Sequence, residues 1–379
     1  MTNPLYLWQR SQWPRFRWDS ERLFPLFSQA RYRQGRFLGT MASMGFDLRL
    51  ESELAVTAED VVKTSAIEGE VLNRASVRSS IARRLGLADG GVAPADRKID
   101  GVVEMVLDAT RNFAGKLTAK RIFRWHAGLF PTGHSGIHPI SVGKWRIDRD
   151  GAMQVISGAY GKKQVHYEAP PAARLAAETA AFFQWFNVGS RNLEGLLRAG
   201  IAHFWLVSIH PFDDGNGRIA RAVADLAIAQ TEKTGQRFYS MSSQIERDKS
   251  NYYRVLESAQ KGDLDITEWL TWFTNCYLSA IDAAEATSQR VLNRAKFWQA
   301  QAAEPPFSVR QQKVLNRLLE GFEGFVTAKK WANMCSCSVD TAQRDIAELV
   351  QRRLLIRNPG GSKRTSYTFA WPPAAESAL

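Results

Sequence analysis

HPFDDGNGRIAR, residues 210–221, is the stretch that decides how this chain is read. It follows LLRAGIAHFWLVSI (196–209), which is apolar on nearly every face and so predicts a buried core helix. That helix delivers His210 to its end, and Pro211 prevents a simple continuation. Gly215 and Gly217 permit positive φ and let backbone N–H groups point into a concavity. The helix that opens behind them adds its unsatisfied donors and the positive end of its dipole. Asp213 and Asn216 lie in the same turn. Arg218 and Arg221, three apart on one helix face, can reach a single anion. Asp214 offers a hard oxygen of the kind Mg²⁺ prefers when it also binds phosphates. His210 is the one group here whose ordinary pKa suits proton transfer near neutrality. Singly, each residue reads as core or turn. Jointly they make a polyphosphate cradle with a base at its edge, suited to moving a phosphate-containing group onto a hydroxyl.

The rest of the chain supplies a setting for that cradle. Its 379 residues, 45% hydrophobic and 23% charged, have a globular composition long enough for two or three domains. Three cysteines make no disulfide framework, and the lone Cys335-x-Cys337 lacks the partners a zinc site needs. The N-terminus has no signal-peptide pattern, and no run approaches the roughly 20 apolar residues that span a bilayer. A cytoplasmic protein with no membrane contact is expected. The net charge of +12 sits at the ends: residues 1–40 hold seven arginines against two acids, and 307–379 hold eleven Lys/Arg against six acids. The arginines and tryptophans of YLWQRSQWPRFRWD (6–19) could form a stacking surface for nucleic acid. Packing of Trp8, Trp13 and Trp18 in a small domain is the preferred reading.

Helical patterns are expected from Thr57, read as an N-cap, to Gly69, and over 75–85, 99–112, 118–129, 172–186, 196–209, 217–232, 252–260 and 266–298. Between Lys144 and Pro171 the period changes. WRIDRDGAMQVI predicts a short hairpin around Asp150-Gly151, continued by SGAYGKKQVHYEA. AQAAEPP, ending at Pro306, reads as a linker. Beyond it come three helical segments, two of them capped by Thr327 and Ser338. The strand-like LLIR and SYTFA follow, joined by a basic tip at Lys363-Arg364, in the outline of a winged helix. The expected domains are 1–90, 91–300 and 301–379.

HPFDDGNGRIAR resembles the motif of the Fic family, HPFx(D/E)GNGRxxR, at every specified position. The likeness extends over about residues 118–277, including the hairpin, which resembles the family's flap. It implies a mainly α fold: a Fic-type helical bundle with a β-hairpin flap, plus the small C-terminal winged helix-turn-helix domain. It also implies a protein adenylyltransferase that moves AMP from Mg-ATP to a Tyr, Thr or Ser hydroxyl of a target protein, itself included. By resemblance His210 is the base and Asp214 the Mg²⁺ ligand. Asn216 and the Gly215 and Gly217 backbone hold the α-phosphate, Arg218 the β-phosphate region and Arg221 the γ-phosphate, with Asp213 counted among the nucleotide-binding residues of the same loop. Tyr253 lines the base pocket, and Gln260 stands where the family commonly has Asn. Val155, Ile156 and Val165 of the flap dock the target strand by backbone pairing.

TSAIEG (64–69) is the second informative stretch. Thr64 and Glu68 share a helix face, and Glu68 lies in a last turn whose dipole disfavours a carboxylate. The stretch resembles the Fic inhibitory pattern (S/T)xxxE(G/N). That implies Glu68 pairs with Arg221 and occupies the γ-phosphate position, giving a low basal rate. The C-terminal segment 307–379 reads equally as a DNA contact and as a module for homodimer formation or target docking, because Asp340, Asp345 and Glu348 accompany Arg344 on its candidate recognition helix. The other function of a different class is a DNA-binding regulator whose nucleotide site only senses ligand. Such a sensor has no need of His210. UMP or phosphocholine transfer is the narrower alternative within the family.

Overall fold

A computed structural model describes residues 5–87, 97–149, 151–158, 163–319, 322, 324–359 and 365–371. Two compact units are formed, Met1–Ala284 and Glu285–Leu379. The first contains helices α1 (Ser20–Ser43), α2 (Phe46–Ile67), α3 (Arg74–Arg84), α4 (Arg97–Arg111), α5 (Ala119–Leu129), α6 (Leu175–Gln184), α7 (Gly195–Ile209), α8 (Asn216–Glu232), α9 (Met241–Arg247) and α10 (Lys249–Gln260). It also holds two hairpins, β1 (His134–Ser135) with β2 (His138–Pro139), and β3 (Gln154–Ser157) with β4 (Gln164–Glu168). Helix α11 (Thr267–Ala300) begins in the first unit. The second adds α12 (Val309–Leu319), α13 (Ala328–Cys335), α14 (Val339–Gln351), β5 (Leu355–Arg357) and β6 (Tyr367–Phe369). The architecture is mainly α with small hairpins.

Helix α7 is the centre of the first unit. Every one of its residues is buried, as its all-round apolar pattern requires, and its N-terminus is closed by the Glu194 carboxylate accepting from Leu196 and Leu197 N–H. Helix α8 packs beside it and is buried from Asn216 through Ala229 except at Gly217. Thr118 caps α5 by accepting from Arg121 N–H. Helices α4 and α5 cross backbone to backbone: a Cβ at Gly101 would lie 1.9 Å from the Gly128 carbonyl oxygen. In the N-terminal stretch, Trp13 and Phe16 stand edge-on to Trp205, and Trp13 Nε1–H donates to Glu178. Trp13 is thus half-buried in packing, as preferred above, and Trp8 donates Nε1–H to Glu168 O.

Three local expectations are corrected. Thr57 does not cap a helix: α2 starts eleven residues earlier, at Phe46, and Thr57 is buried in its interior. The helix hides from a pattern search because its buried face is polar, with Glu53 paired to Arg111 at 2.6 Å and Asp60 accepting from the Ser240 hydroxyl. Ser20–Ser43, absent from the helices expected above, is a helix capped by Asp19. The long hairpin does not turn at Asp150-Gly151. Its strands pair Gln154 with Glu168 and Ser157 with Gln164, with a bulge between Val155 and Ile156. Residues 144–149 instead tether the 210–221 stretch: Arg146 N–H donates to Pro211 O and its guanidinium to His210 O. Asp150 itself lies outside the described residues.

The second unit has its own core of Phe297, Phe307, Val314, Leu315, Trp331, Ile346, Leu349 and Leu355. Phe297 belongs to this core, so the unit begins inside α11, at Glu285, ahead of the linker composition at 300–306. Thr327 and Ser338 cap α13 and α14 by accepting from Lys330 and Thr341 N–H. Strands β5 and β6 pair antiparallel, and Val326 bridges to Tyr367. The basic tip Lys363-Arg364 lies outside the described residues.

Candidate active site

His210 stands where α7 stops. Its backbone is left-handed, φ 51° and ψ 58°, a conformation that costs an L-residue energy and needs outside support. Arg146 supplies it. This arginine is 2% exposed; its Nε donates to His210 O at 2.8 Å, Nη2 to Pro170 O and Nη1 to Asp148. The imidazole Nδ1 lies 3.2 Å from Val207 O. A carbonyl only accepts, so Nδ1 carries the proton and Nε2 keeps a lone pair. Burial pushes the imidazole down to about 4, against the Val207 contact, which raises it. At neutral pH His210 is therefore an unprotonated base.

The loop behind His210 closes on itself. The Asn216 amide oxygen accepts from Phe212 N–H at 3.0 Å and its nitrogen donates to Phe212 O at 2.8 Å. Gly215 has φ 82°, and a Cβ there would lie 2.9 Å from the Phe130 ring. The Asp213 carboxylate accepts from Ser141 N–H at 2.7 Å. Asp214 lines the open side; its carboxylate accepts from the Ser135 hydroxyl at 2.5 Å and from Gly215 N–H at 2.6 Å. His126, stacked on Phe212 with ring centroids 4.1 Å apart, donates Nε2–H to Asp214 O and accepts from Gly143 N–H. Burial lowers its imidazole to about 4, so it supports the loop as a neutral ring.

Both motif arginines are buried and occupied by carboxylates. Arg221 Nη2 donates to Glu68 Oε1 at 2.7 Å and to Thr64 O at 2.9 Å, and its Nε donates to the Thr64 hydroxyl. Burial works against its charge, but Glu68 outweighs that and holds the guanidinium above its ordinary value. Arg218, 1% exposed, donates Nη1 to Glu70 Oε2 at 2.9 Å, lies 3.8 Å from Asp214 and sits over the Phe130 ring. Gly217 makes the close approach of Glu68 possible: a Cβ there would fall 2.3 Å from Glu68 Oε1.

Beside His210 and Glu68 lies a cavity of about 640 Å³. His210, Asp213, Asp214, Asn216, Gly217 and Glu68 line one part of it, and Tyr252, Tyr253 and Gln260 another. Gln260 Nε2 donates to the Ser208 hydroxyl at 3.2 Å. Val155 and Ile156 border the mouth; Val165 pairs with Ile156 across the hairpin and does not line the cavity. The hairpin is a two-stranded sheet, leaving each strand with an outer edge. It is anchored by Tyr167, whose hydroxyl donates to Ser208 O, and by His166, held between Ser157 and Glu257. The sequence reading missed Arg146, His126, Ser135, Glu70 and the His166–Glu257 pair. None carried a local signal, because each acts through a partner far away in the chain. Among the described residues no cluster of three His, Cys, Asp or Glu could hold a metal.

Residues 116–228 match the Fic/DOC family, residues 6–87 a domain of unknown function (DUF4172), and residues 310–368 the DeoR-like helix-turn-helix domain. A curated relative, protein adenylyltransferase Fic of Drosophila ananassae, is 26% identical over 228 residues, covering 59% of this chain and 41% of the relative. The chain thus spans about two fifths of the length of such relatives. A Fic family protein from Desulfovibrio desulfuricans shares the fold with a TM-score of 0.50 and 18% identity, over 91% of this chain and 96% of that one. A Fic domain-containing signaling protein from Bacteroides thetaiotaomicron does so with a TM-score of 0.51 and 17% identity, over 70% and 98%.

Proposed function

Taking as premise that this chain carries a Fic/DOC domain and a DeoR-like helix-turn-helix domain, we propose that it is a self-inhibited protein adenylyltransferase, moving AMP from ATP to a Tyr, Thr or Ser hydroxyl of a target protein or of itself. The observation that carries this reading is His210: a neutral imidazole whose Nδ1 is taken by Val207 O, on the wall of a nucleotide-sized cavity that Glu68, the partner of buried Arg221, also lines. A nucleotide sensor has no need of such a base.

In the proposed reaction His210 Nε2 takes the proton of the target hydroxyl as its oxygen attacks the α-phosphorus. The Pα–O bond to the β-phosphate breaks and pyrophosphate leaves, so the AMP moiety ends on the hydroxyl oxygen. The Gly215–Gly217 backbone at the α8 N-terminus and Asn216 face the α-phosphate, Arg218 the β-phosphate region, and Arg221 the γ-phosphate once Glu68 withdraws. The Asp214 carboxylate, on the cavity wall and 40% exposed, would hold Mg²⁺ arriving with ATP, and the ion would supply charge neutralisation at the phosphates. Tyr253 and Gln260 receive the base, and the β3–β4 hairpin offers an edge to the target strand. The unpaired cysteines Cys276, Cys335 and Cys337 fit a reducing cytoplasm. No helix among the described residues is long and apolar enough to cross a membrane.

Self-inhibition rests on Thr64 and Glu68 occupying Arg221, and Glu70 extends it by occupying Arg218. The test is transfer of label from the α-phosphate of ATP, comparing wild type, Glu68→Gly and Glu68→Gly/His210→Ala, alone and with candidate targets. Label in the single variant that vanishes in the double supports the reading; silence in every lane, with UTP and GTP equally silent, overturns it.

The second unit favours a DNA contact more than its sequence did. Of the acids on α14, Asp345 is buried against Arg310 at 2.8 Å and Glu348 pairs with Arg352 at 2.7 Å, while Gln343 and Arg344 are exposed. Two of the three carboxylates are neutralised within the unit and leave the exposed face less repulsive to phosphates.

A further inference from the structure

At the far ends of α7 and α8 lies a second cavity, of about 440 Å³, lined by Ala114, Gly115, Lys116, Asn187, Arg191, Leu193, Arg198, Gln230, Thr231 and Lys233, with four cations and no carboxylate. Lys116, Arg191 and Lys233 are exposed, but Arg198 is 7% exposed. Its guanidinium lies 4.4 Å from the Phe186 ring, donating Nε to the Ser190 hydroxyl and Nη2 to Phe186 O and Gln230 Oε1. All these acceptors are neutral. Among the described residues no ion pair joins any of the four cations to an acid. The nearby Glu194 is committed to Arg31 and to the N-terminus of α7.

A buried charge without a counter-charge is costly, and a buried guanidinium is ordinarily paired. Here burial first, and then the positive charge of Arg191, lower the Arg198 guanidinium to about 10. Arg191 is thus close enough to repel it. One lining residue, Asn187, lies in a short π-helix, Trp185–Gly189, a deformation that recurs at functional sites, and its Phe186 carbonyl accepts from Arg198. Arg198 and His210 lie twelve residues apart on α7, roughly 18 Å along its axis, so this cavity is separate from the one around His210.

We propose that this second cavity is a binding site for a small anion bearing a phosphate group, with Arg198 as the buried anchor and Lys116, Arg191 and Lys233 closing around the charge. A phosphate accepts from several N–H donors at once and supplies the missing negative charge, whereas a carboxylate side chain has been left out of the lining. The volume exceeds that of one phosphate and admits a phosphomonoester. The inference does not depend on the transfer reaction.

The experiment is titration calorimetry on the full chain, Glu68 retained, with inorganic phosphate, pyrophosphate and AMP as probes. Wild type, Arg191→Ala/Lys233→Ala and Arg221→Ala are compared, with circular dichroism to verify folding. The expected result is saturable binding to wild type and Arg221→Ala that weakens by about tenfold or more in Arg191→Ala/Lys233→Ala, whose changes are on the surface. AMP binding tighter than phosphate would identify an organic phosphate as occupant, and equal affinity would identify inorganic phosphate. No saturable binding at millimolar probe, or binding that survives the double substitution, overturns the proposal.

Discussion

Glu68 and Arg221, 153 residues apart, meet through a 2.7 Å hydrogen bond between Oε1 and Nη2, and Gly217 is the residue whose missing side chain lets them do so. A charge-assisted hydrogen bond to a buried arginine is worth about 1.5–3 kcal/mol, or about 10- to 100-fold in an equilibrium. Glu68→Gly should therefore raise label transfer from ATP by that order under subsaturating nucleotide. Rates equal to wild type would show that this contact is no brake.

Glu70 should act in the same direction and less strongly. It is shared between Arg218 and Lys98, and Arg218 keeps Asp214 3.8 Å away when Glu70 is neutralised. Glu70→Gln in the Glu68→Gly background is expected to tighten Mg-ATP binding about three- to tenfold, read by calorimetry. Weaker binding would mean that Glu70 orients Arg218 for the nucleotide instead of obstructing it.

The pH profile follows from His210. Burial lowers its imidazole to about 4, while Asp214 and Glu68 raise it, so removing Glu68 takes away one of the raising charges. A base with a depressed pKa is active above that pKa and lost as pH falls through it. In Glu68→Gly, kcat/KM should stay level from pH 8 down to about 5 and drop only in more acidic solution. A fall centred near 6.5, the ordinary histidine value, would contradict the burial argument.

Arg146 supports the left-handed backbone of His210 through the carbonyls of His210 and Pro170. Arg146→Ala leaves those buried acceptors unpaired at about 1–3 kcal/mol each, so a lower Tm is expected. In the Glu68→Gly background kcat should fall by about a hundredfold with KM for ATP nearly unchanged, because the base is misplaced while the arginines stay. A change confined to KM would refute this positioning role.

For the second unit, the full chain should bind random duplex at low salt, with log Kd rising linearly with log salt. Arg344→Ala should weaken it and shallow that slope by about one. Absence of duplex binding at low salt, with a dimer in sedimentation, would assign the unit to self-association.

The sequence determined the central helix pair and the residues between them. An all-apolar run followed by HPFDDGNGRIAR leaves few folds open, because periodicity, a helix stop and two glycines all act within a dozen residues. It also singled out Glu68 beside Thr64. Tertiary structure alone decided the rest. Helix α2 buries Glu53, Asp60 and Thr64 on partners from α4, α8 and the segment before α9, so polar residues interrupt the apolar pattern of its buried face. The hairpin pairs from Gln154 with Glu168 onward, and residues before it are spent on the 210–221 stretch, with Arg146 taken by His210 and Pro170. Glu70, Ser135 and the four cations around Arg198 gain meaning only when distant segments converge, since charge compensation depends on distance in space and local patterning records only distance along the chain.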